Sequence, residues 1–298
     1  MRAVAVPGGP GHRSSHRCAW GVSGLVVAAA LAIPGTRLIT LAGVPWFPAQ
    51  PTSVTVRIVT MPQPVTGLTV RSYGGQVRVT AGQVSRVQVT ERIVYDPKDG
   101  GPPAVAESVA GGQLSLGDPA CASVNCSVDF TVTVPSAVDV TVDTQGGPAI
   151  ISAISGATGT SVNTDGGAAV IRQVTGPLTV STGGGPLIMN DVAGPLRADT
   201  AGGSLTAQGI TAATATLDTG GGPAQVAFSA APKTVTMNTD GGPAILRVPG
   251  GPYALTADSA GGPELIQIAT DPAARASLTV SSGGGPIQLE PAVSGGAP

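Results

Sequence analysis

Hydrophobic and polar residues in the second half of the chain alternate in a pattern that returns about every twenty residues. Each unit reads apolar, Thr, apolar, Asp/Asn/Ser, Thr/Ser, any residue, Gly, Gly, followed by Pro, Ala or Ser. Eight units follow one another at spacings of 18 to 23 residues, a period typical of solenoid repeats. The Thr or Ser before each turn, called the anchor below, is Thr144, Thr164, Thr182, Thr200, Thr219, Thr239, Ser259 and Ser282.

Each unit is predicted to form two short strands around its turn. Because side chains alternate between the faces of a strand, the columns two residues before and seven residues after the anchors are expected to point inward. Glycine supplies positive φ for the corner, and a following proline needs an N–H position that faces away from the strand ladder. The inward columns are Val142, Val162, Val180, Ala198, Leu217, Met237, Ala257 and Val280, and Ile151, Ile171, Met189, Ala207, Val226, Leu246, Ile266 and Leu289.

These units predict an all-β fold, a parallel β-solenoid of about 18–20-residue coils, because each unit is too short for a strand–helix–strand crossover. Residues 66–290 form this domain, with 66–135 as its capping part and 136–290 as the regular repeats. Each coil is expected to cover the next, which leaves an open edge at Leu289. Residues 46–65 are interpreted as a linker and 291–298 as a tail.

The N-terminus has the pattern of an export signal. Residues 1–17 form a basic leader, and an uncharged stretch begins at Ala19, so we interpret residues 18–45 as a signal anchor or transmembrane helix. The positive-inside rule keeps the leader in the cytoplasm and predicts a single-pass cytoplasmic membrane protein with an extracytoplasmic C-terminal domain. Small residues around 28–32 leave the alternative of a signal peptide that is cleaved before secretion.

Composition fits this repeat and excludes a nucleic-acid-binding protein. Of the 44 glycines, nineteen fall in the eight turns, and the scarcity of aromatic residues (3%) suits a narrow interior filled by Val, Ile, Leu and Ala. Residues 1–90 carry eight arginines and no carboxylate, whereas the rest of the chain is acidic. The folded part therefore lacks the basic surface that nucleic-acid binding requires.

Cys121 and Cys126, five residues apart in the exported region, are expected to form a small loop disulfide.

Four segments make the chain similar to a family of bacterial β-solenoid domains known as "putative adhesin" domains. They are Tyr-Gly-Gly-Gln-Val-Arg-Val at 73–79, Val-Thr-Glu-Arg-Ile-Val-Tyr-Asp at 89–96, Cys-Ser-Val-Asp-Phe-Thr-Val-Thr-Val-Pro at 126–135 and Gly-Gly-Pro-Tyr at 250–253. The resemblance covers about residues 66–290 and implies a solenoid in a membrane-anchored or secreted actinobacterial protein. The family's Gly-Asp-Val turn is replaced by Gly-Pro or Gly-Ala at Pro148, Ala168, Pro186, Pro223, Pro243, Pro263 and Pro286.

The chain lacks the residues that the common catalytic mechanisms require. The only histidines, His12 and His16, lie in the leader, which argues against histidine-dependent triads, and no glycine-rich turn leads into a Lys-Ser/Thr phosphate loop. The carboxylates beside the anchors, such as Asp199 and Asp218, are expected to be neighbours and could act on cell-wall polysaccharide. We favour the simpler interpretation that they bond their own turns, and we predict no catalytic, cofactor or metal-binding residue.

One outward column is apolar where a solvated strand would be polar. Exposed branched side chains in register could form a stripe for a partner or for self-association, and the stripe consists of Ile150, Val170, Ile188, Ile245 and Leu265. A second outward column is a threonine ladder, interpreted as ordinary strand composition.

We therefore predict a non-enzymatic, membrane-tethered β-solenoid that acts as a surface scaffold or adhesion-like binding module. Its partner would be an envelope or surface protein or a glycan. Two alternatives remain: a carboxylate-dependent polysaccharide-acting enzyme, and a regulatory partner of an envelope-stress system.

Overall fold

A computed structural model describes residues 52–292. The predicted leader, the anchor or transmembrane helix and most of the predicted tail lie outside the described residues. Two 3₁₀ turns, Pro97–Asp99 and Pro119–Ala122, accompany strands bounded as follows: β1 Ser53–Thr60, β2 Gly67–Ser72, β3 Val77–Ala81, β4 Gln88–Tyr95, β5 Ala106–Ala110, β6 Gln113–Gly117, β7 Cys126–Val134, β8 Asp139–Thr144, β9 Ala149–Ser152, β10 Thr160–Asn163, β11 Ala169–Thr175, β12 Leu178–Ser181, β13 Leu187–Ala193, β14 Leu196–Asp199, β15 Leu205–Ile210, β16 Thr214–Asp218, β17 Ala224–Phe228, β18 Thr234–Asn238, β19 Ala244–Val248, β20 Ala254–Asp258, β21 Glu264–Ile266, β22 Ser277–Ser281 and β23 Ile287–Pro291.

The strands form two long, mostly parallel sheets, so the all-β prediction is confirmed. Sheet A has the order β1-β4-β7-β3-β9-β11-β13-β15-β17-β19-β23-β21, and sheet B has the order β20-β22-β18-β16-β14-β12-β10-β8-β2-β6-β5. Successive repeats contribute one strand to each sheet, an arrangement compatible with a β-solenoid. No helix within residues 52–292 is long and apolar enough to cross a membrane.

The core between the sheets is built from the predicted inward columns. Each member except Ala257 and Ile266 is buried, and in-register pairs such as Ile171 with Met189 repeat from strand to strand. Small and branched side chains fill the interior, and Phe130, Phe228 and Tyr253 are its fully buried aromatic residues in the described part.

The last two glycines of each turn serve different purposes. Gly202 has φ +133°, in the region that favours glycine, and a Cβ there would meet nothing within 4 Å. Gly203 has no such φ, but a Cβ would lie 2.1 Å from the carbonyl oxygen of Gly185 in the neighbouring coil. The first glycine therefore permits the corner, and the second permits close stacking of coils.

The terminal coils are not stacked in chain order, which corrects the expectation that each coil covers the next. Strands β22 and β23 insert between β18/β19 and β20/β21, so the last coil in sequence lies one place inside the penultimate one. Leu289 is consequently buried between Leu246 and Ile266, and the predicted open edge at Leu289 is wrong. The edge is β21, where Ile266 is 42% exposed because no further strand covers it.

The N-terminal end shows a second rearrangement. The coil of β2 and β3 packs against β8 and β9, while the later coil of β6 and β7 lies outside it. Antiparallel pairing then adds β4 and β1 to β7, and β5 to β6. Residues 53–60, expected to belong to a linker, form the edge strand β1 instead. Their alternating pattern, Ser-Val-Thr-Val-Arg-Ile-Val-Thr, is that of a strand, but its apolar residues Val54, Val56 and Ile58 lie on the exposed side.

Candidate functional surfaces and their comparison with known proteins

The anchors are buried turn formers. Every anchor side chain is at most 4% exposed, and each hydroxyl donates a hydrogen bond to the carbonyl oxygen three residues later, as Thr200 does to Gly203 at 2.6 Å. The same turn is closed by the N–H of Gly203, which donates to the carbonyl of Thr200 at 3.0 Å. Because this hydrogen bond recurs in all eight turns, the buried anchors hold every turn in a similar shape.

The carboxylates beside the anchors also serve the turns. Asp199 and Asp218 are direct neighbours in β14 and β16, as predicted. The Oδ1 atom of Asp199 accepts the N–H of Ala201 at 3.1 Å, and that of Asp218 accepts the N–H of Gly220 at 3.1 Å. Asp258 does the same with Ala260 at 2.9 Å. These contacts are Asx turns, which give the carboxylates a structural role. Within residues 52–292, no group of three or more His, Cys, Asp or Glu residues is arranged to hold a metal ion.

The predicted stripe lies on the outer face of sheet A as one group of three residues and two separate residues. Ile150, Val170 and Ile188 are consecutive and in register across β9, β11 and β13. Thr206 and Gln225 follow them, and then Ile245, Gln288 and Leu265 complete the row. Ile188 is 40% and Leu265 44% exposed, whereas the other three are half-buried.

A second apolar row runs beside the stripe. This row lies on the same face, two residues before each stripe position, and consists mainly of prolines. Their carbonyl groups accept hydrogen bonds from N–H groups of adjacent coils, as Pro186 does from Ala169 at 2.9 Å. Proline lacks an N–H, so this position tolerates it without an unsatisfied donor. We call the two rows together the sheet A face. The proline row, in spatial order, is Pro148, Ala168, Pro186, Ser204, Pro223, Pro243, Pro286 and Pro263.

The outer face of sheet B has different chemistry. Its central row is hydroxyl-rich and is interrupted by a single arginine, Arg197, which is exposed. The two broad faces therefore differ, although both come from the same repeat. Sheet A carries two largely apolar rows beside a polar row that includes Arg172 and Asn190, whereas the central row of sheet B is polar. In spatial order the row is Thr69, Thr141, Ser161, Thr179, Arg197, Thr216, Thr236, Thr279 and Thr256.

A third exposed apolar group, absent from the sequence prediction, lies on β1. Val54, Val56 and Ile58 are 51%, 58% and 74% exposed and share the outward side of this edge strand. Their spacing of two residues was the available signal, but the segment was interpreted as a linker.

The opposite side of β1 carries an ion-pair cluster that the sequence analysis missed, and its central arginine, Arg57, is 49% exposed at the side chain. Arg57 Nε lies 3.1 Å from a carboxylate oxygen of Glu91, which is fully buried, and the same guanidinium pairs with Glu107 on β5. Burial raises the pKa of Glu91, and the neighbouring Arg57 only partly counteracts this. The cluster joins the outermost strand of each sheet and places charge over the end of the apolar core, which protects that end from pairing with other chains.

The cysteines lie near this end of the structure. Cys121 and Cys126 are joined by a disulfide with their Cα atoms 5.1 Å apart. The bond connects the 3₁₀ turn Pro119–Ala122 to the first residue of β7. It therefore holds the turn against sheet A.

The comparisons with known proteins concern the fold. No family model matches the chain, and no curated protein matches its sequence. Among solved structures, the chain is similar to a "putative adhesin" from Parabacteroides distasonis, at 12% identity and a TM-score of 0.44, covering 80% of this chain and 97% of that one. A "putative lipid binding protein" from the same species gives 11% and 0.44, covering 79% and 96%. A "putative adhesin" from Bacteroides fragilis gives 10% and 0.42, covering 81% and 97%. Similarity at this level supports no statement on function.

Proposed function

We propose that this protein is a non-enzymatic binding module, tethered to the cytoplasmic membrane through residues 18–45 and displayed on the extracytoplasmic side. The tether and the orientation rest on the basic leader and the apolar segment that follows it. The binding role rests on the surface of residues 52–292.

The observation that carries this proposal is the sheet A face. An outer strand position exposed to water normally holds a polar residue, yet Ile150, Val170 and Ile188 stand side by side in three neighbouring strands. Prolines such as Pro186 extend the apolar surface on the same side. Ile188 is exposed and Ile150 and Val170 are half-buried, and an accessible apolar patch shared by neighbouring strands is typical of an interaction surface.

The partner that fits this face best is a protein with a flat apolar surface. Sugar-binding sites commonly use aromatic side chains as platforms, and neither row of the sheet A face contains one. Regular parallel pairing from β9 to β13 keeps the face even, which suits packing of one sheet on another. A second copy of this chain is one such partner.

Matched lysine substitutions test the assignment of the binding face. The purified full chain would be measured for retention on immobilised extracytoplasmic envelope proteins and, separately, for its mass in solution. Ile188→Lys places a charge on the sheet A face, whereas Thr179→Lys places the same charge on the exposed row of sheet B. We expect Ile188→Lys to weaken retention or self-association by about tenfold or more, because a charge would have to be desolvated, while Thr179→Lys has little effect. Equal behaviour of the two variants would remove the sheet A face from the proposal.

The tether is tested separately. Membranes from cells that express the full chain would be washed at alkaline pH, and protease would be added to intact spheroplasts. Retention in the membrane with digestion from outside supports the proposed topology. A mature protein in the medium that begins after residues 28–32 would instead establish the cleaved, secreted form.

A further inference from the structure

A pocket opens on the outer face of sheet B at its N-terminal end, well away from the sheet A face. Its volume is about 400 Å³, within the range of small-molecule sites. Strands β2, β6 and β5 form its floor, and the chain leading into the turn Pro119–Ala122 forms a wall. We call it the cap pocket; the residues that matter here are Arg71, Tyr73, Ser108, Ser115, Gly117 and Pro119.

The pocket exists because the residues in register with Arg71 on the next two strands, β6 and β5, are small. Arg71 is in register with Gly117, and Gly117 with Ala106, so no large side chain fills the space beside the guanidinium. A Cβ placed on Gly117 would have one neighbour within 4 Å, the carbonyl oxygen of Arg71 at 3.6 Å. Space for a side chain is therefore present and is left empty by the sequence.

The electrostatics of the pocket are set by an unpaired cation. Arg71 forms none of the ion pairs found within residues 52–292. Two carboxylates also border the pocket, and a third, Asp143, is in register with Arg71 on the neighbouring strand β8. All three have other partners, and Asp143 accepts a hydrogen bond from the side-chain amide of Asn163 at 3.3 Å. Glu107 pairs with Arg57, and Asp118 accepts the N–H of Tyr73 at 3.0 Å and the hydroxyl of Ser72 at 3.3 Å. The guanidinium is thus the charged group that is free to meet a ligand.

Three hydroxyl groups line the same pocket without internal partners. The hydroxyls of Tyr73, Ser108 and Ser115 take part in none of the hydrogen bonds of the described residues, and Ser108 lies directly opposite Ser115. Each can donate and accept. Pro119 and the ring of Tyr73 add apolar surface. The lining therefore combines one permanently charged cation, several hydroxyls and a small apolar wall.

We propose that the cap pocket binds an acidic sugar residue, a pyranose ring that carries a carboxylate. Arginine pairs with a carboxylate through two parallel hydrogen bonds, and the serine and tyrosine hydroxyls match the hydroxyls of a sugar. The apolar wall suits the C–H face of the ring. A single guanidinium beside Glu107 and Asp118 suits a singly charged group better than a doubly charged phosphate.

Calorimetric titration of the purified full chain with D-glucuronate tests the proposal. D-glucose serves as the neutral match, inorganic phosphate as the anion without a sugar, and N-acetyl-alanine as a peptide-like carboxylate. We expect glucuronate to bind at least about tenfold more tightly than each of the three, because charge-assisted and neutral hydrogen bonds are made together.

Three variants locate the binding. Arg71→Gln is expected to weaken glucuronate binding by about tenfold or more, since it removes a charged hydrogen-bond donor. Gly117→Val fills the pocket and is expected to abolish binding, with an unchanged unfolding midpoint as the check on its fold. Arg197→Gln, which removes an exposed arginine four strands away on the same face, is the matched control and should bind as the parent does.

Several results would overturn the proposal. If Arg197→Gln lost as much binding as Arg71→Gln, the effect would come from the net surface charge and not from the cap pocket. Equal binding of glucose would remove the role of Arg71, and stronger binding of phosphate or of N-acetyl-alanine would replace the sugar by a simple anion or by a peptide C-terminus. Absence of binding to all four probes would leave the pocket without the proposed ligand class.

Discussion

Leu246 pairs in register with Leu289, although a complete coil separates the two residues in the chain. That intervening coil, β20 and β21, lies outside the strands that follow it in sequence. The last two coils therefore exchange places. Leu289 lies inside the core and Ile266, the equivalent residue of the preceding repeat, lies at the edge.

The exchange predicts unequal effects of two similar substitutions. Leu289→Ala should lower the free energy of unfolding by about 2 to 5 kcal/mol, because it leaves a cavity around a fully buried side chain. Ile266→Ala should cost less than about 1 kcal/mol, because Ile266 is already partly in water. Denaturant unfolding of both variants measures the difference. Stacking in chain order would reverse the ranking.

The regular repeats could be predicted from the sequence because their information is local. Thr200 and Gly203 lie within one turn, and columns such as Val180 and Ile171 follow from alternation along a single strand. The adjacency of Asp199 and Asp218 follows from stacking repeats of similar length. Each of these predictions needs only the repeat length and the alternation of side chains along a strand.

The ends of the two sheets depend on strand pairings that the repeat period does not specify. Arg57 meets Glu91 and Glu107 across two sheets, and the cap pocket arises because Arg71 is in register with Gly117. The exchange of the last coils had one signal, the spacing of 23 residues between Ser259 and Ser282, which exceeds the others. The extra residues allow the chain to return past β21. Such long connections cannot be assigned a direction from sequence alone.

The buried anchor hydroxyl predicts a measurable hydrogen-bond contribution. Thr200→Val keeps the size and shape of the side chain but leaves the carbonyl of Gly203 without its partner. We expect a loss of about 1 to 3 kcal/mol in the free energy of unfolding, the typical cost of an unsatisfied buried polar group. Thr200→Ser retains the hydroxyl, as Ser259 and Ser282 do in their own turns, and should lose less. If the valine variant were as stable as the serine variant, the anchors would act through packing alone.

The stacking glycines predict a steric limit on the turns. Gly203→Ala would place a Cβ 2.1 Å from the carbonyl oxygen of Gly185, a backbone atom that cannot rotate away. We expect destabilisation of about 1 to 3 kcal/mol or more, measured as a lower thermal midpoint. Gly101→Ala is the control, because a Cβ there meets nothing within 4 Å and its φ lies outside the strained region. A similar midpoint for both variants would mean that neighbouring coils can separate at little cost.

The buried Glu91 predicts a pH dependence of stability at the N-terminal end. Burial raises the pKa of Glu91 above its usual value of 4.5, so the folded protein holds this proton at pH values where the unfolded chain has lost it. Stability should therefore fall as the pH rises from the usual pKa to the raised one, and then level off.

Glu91→Gln removes this titration and leaves Arg57 paired with Glu107. The difference in unfolding free energy between the variant and the parent isolates Glu91, because Asp118, whose pKa burial also raises, is present in both proteins. We expect the variant to gain stability relative to the parent as the pH rises through that window. A constant difference from pH 4 to pH 8 would show that Arg57 fully compensates the burial of the carboxylate. A difference that changes in the opposite direction would mean that the ion pair outweighs desolvation and lowers the pKa.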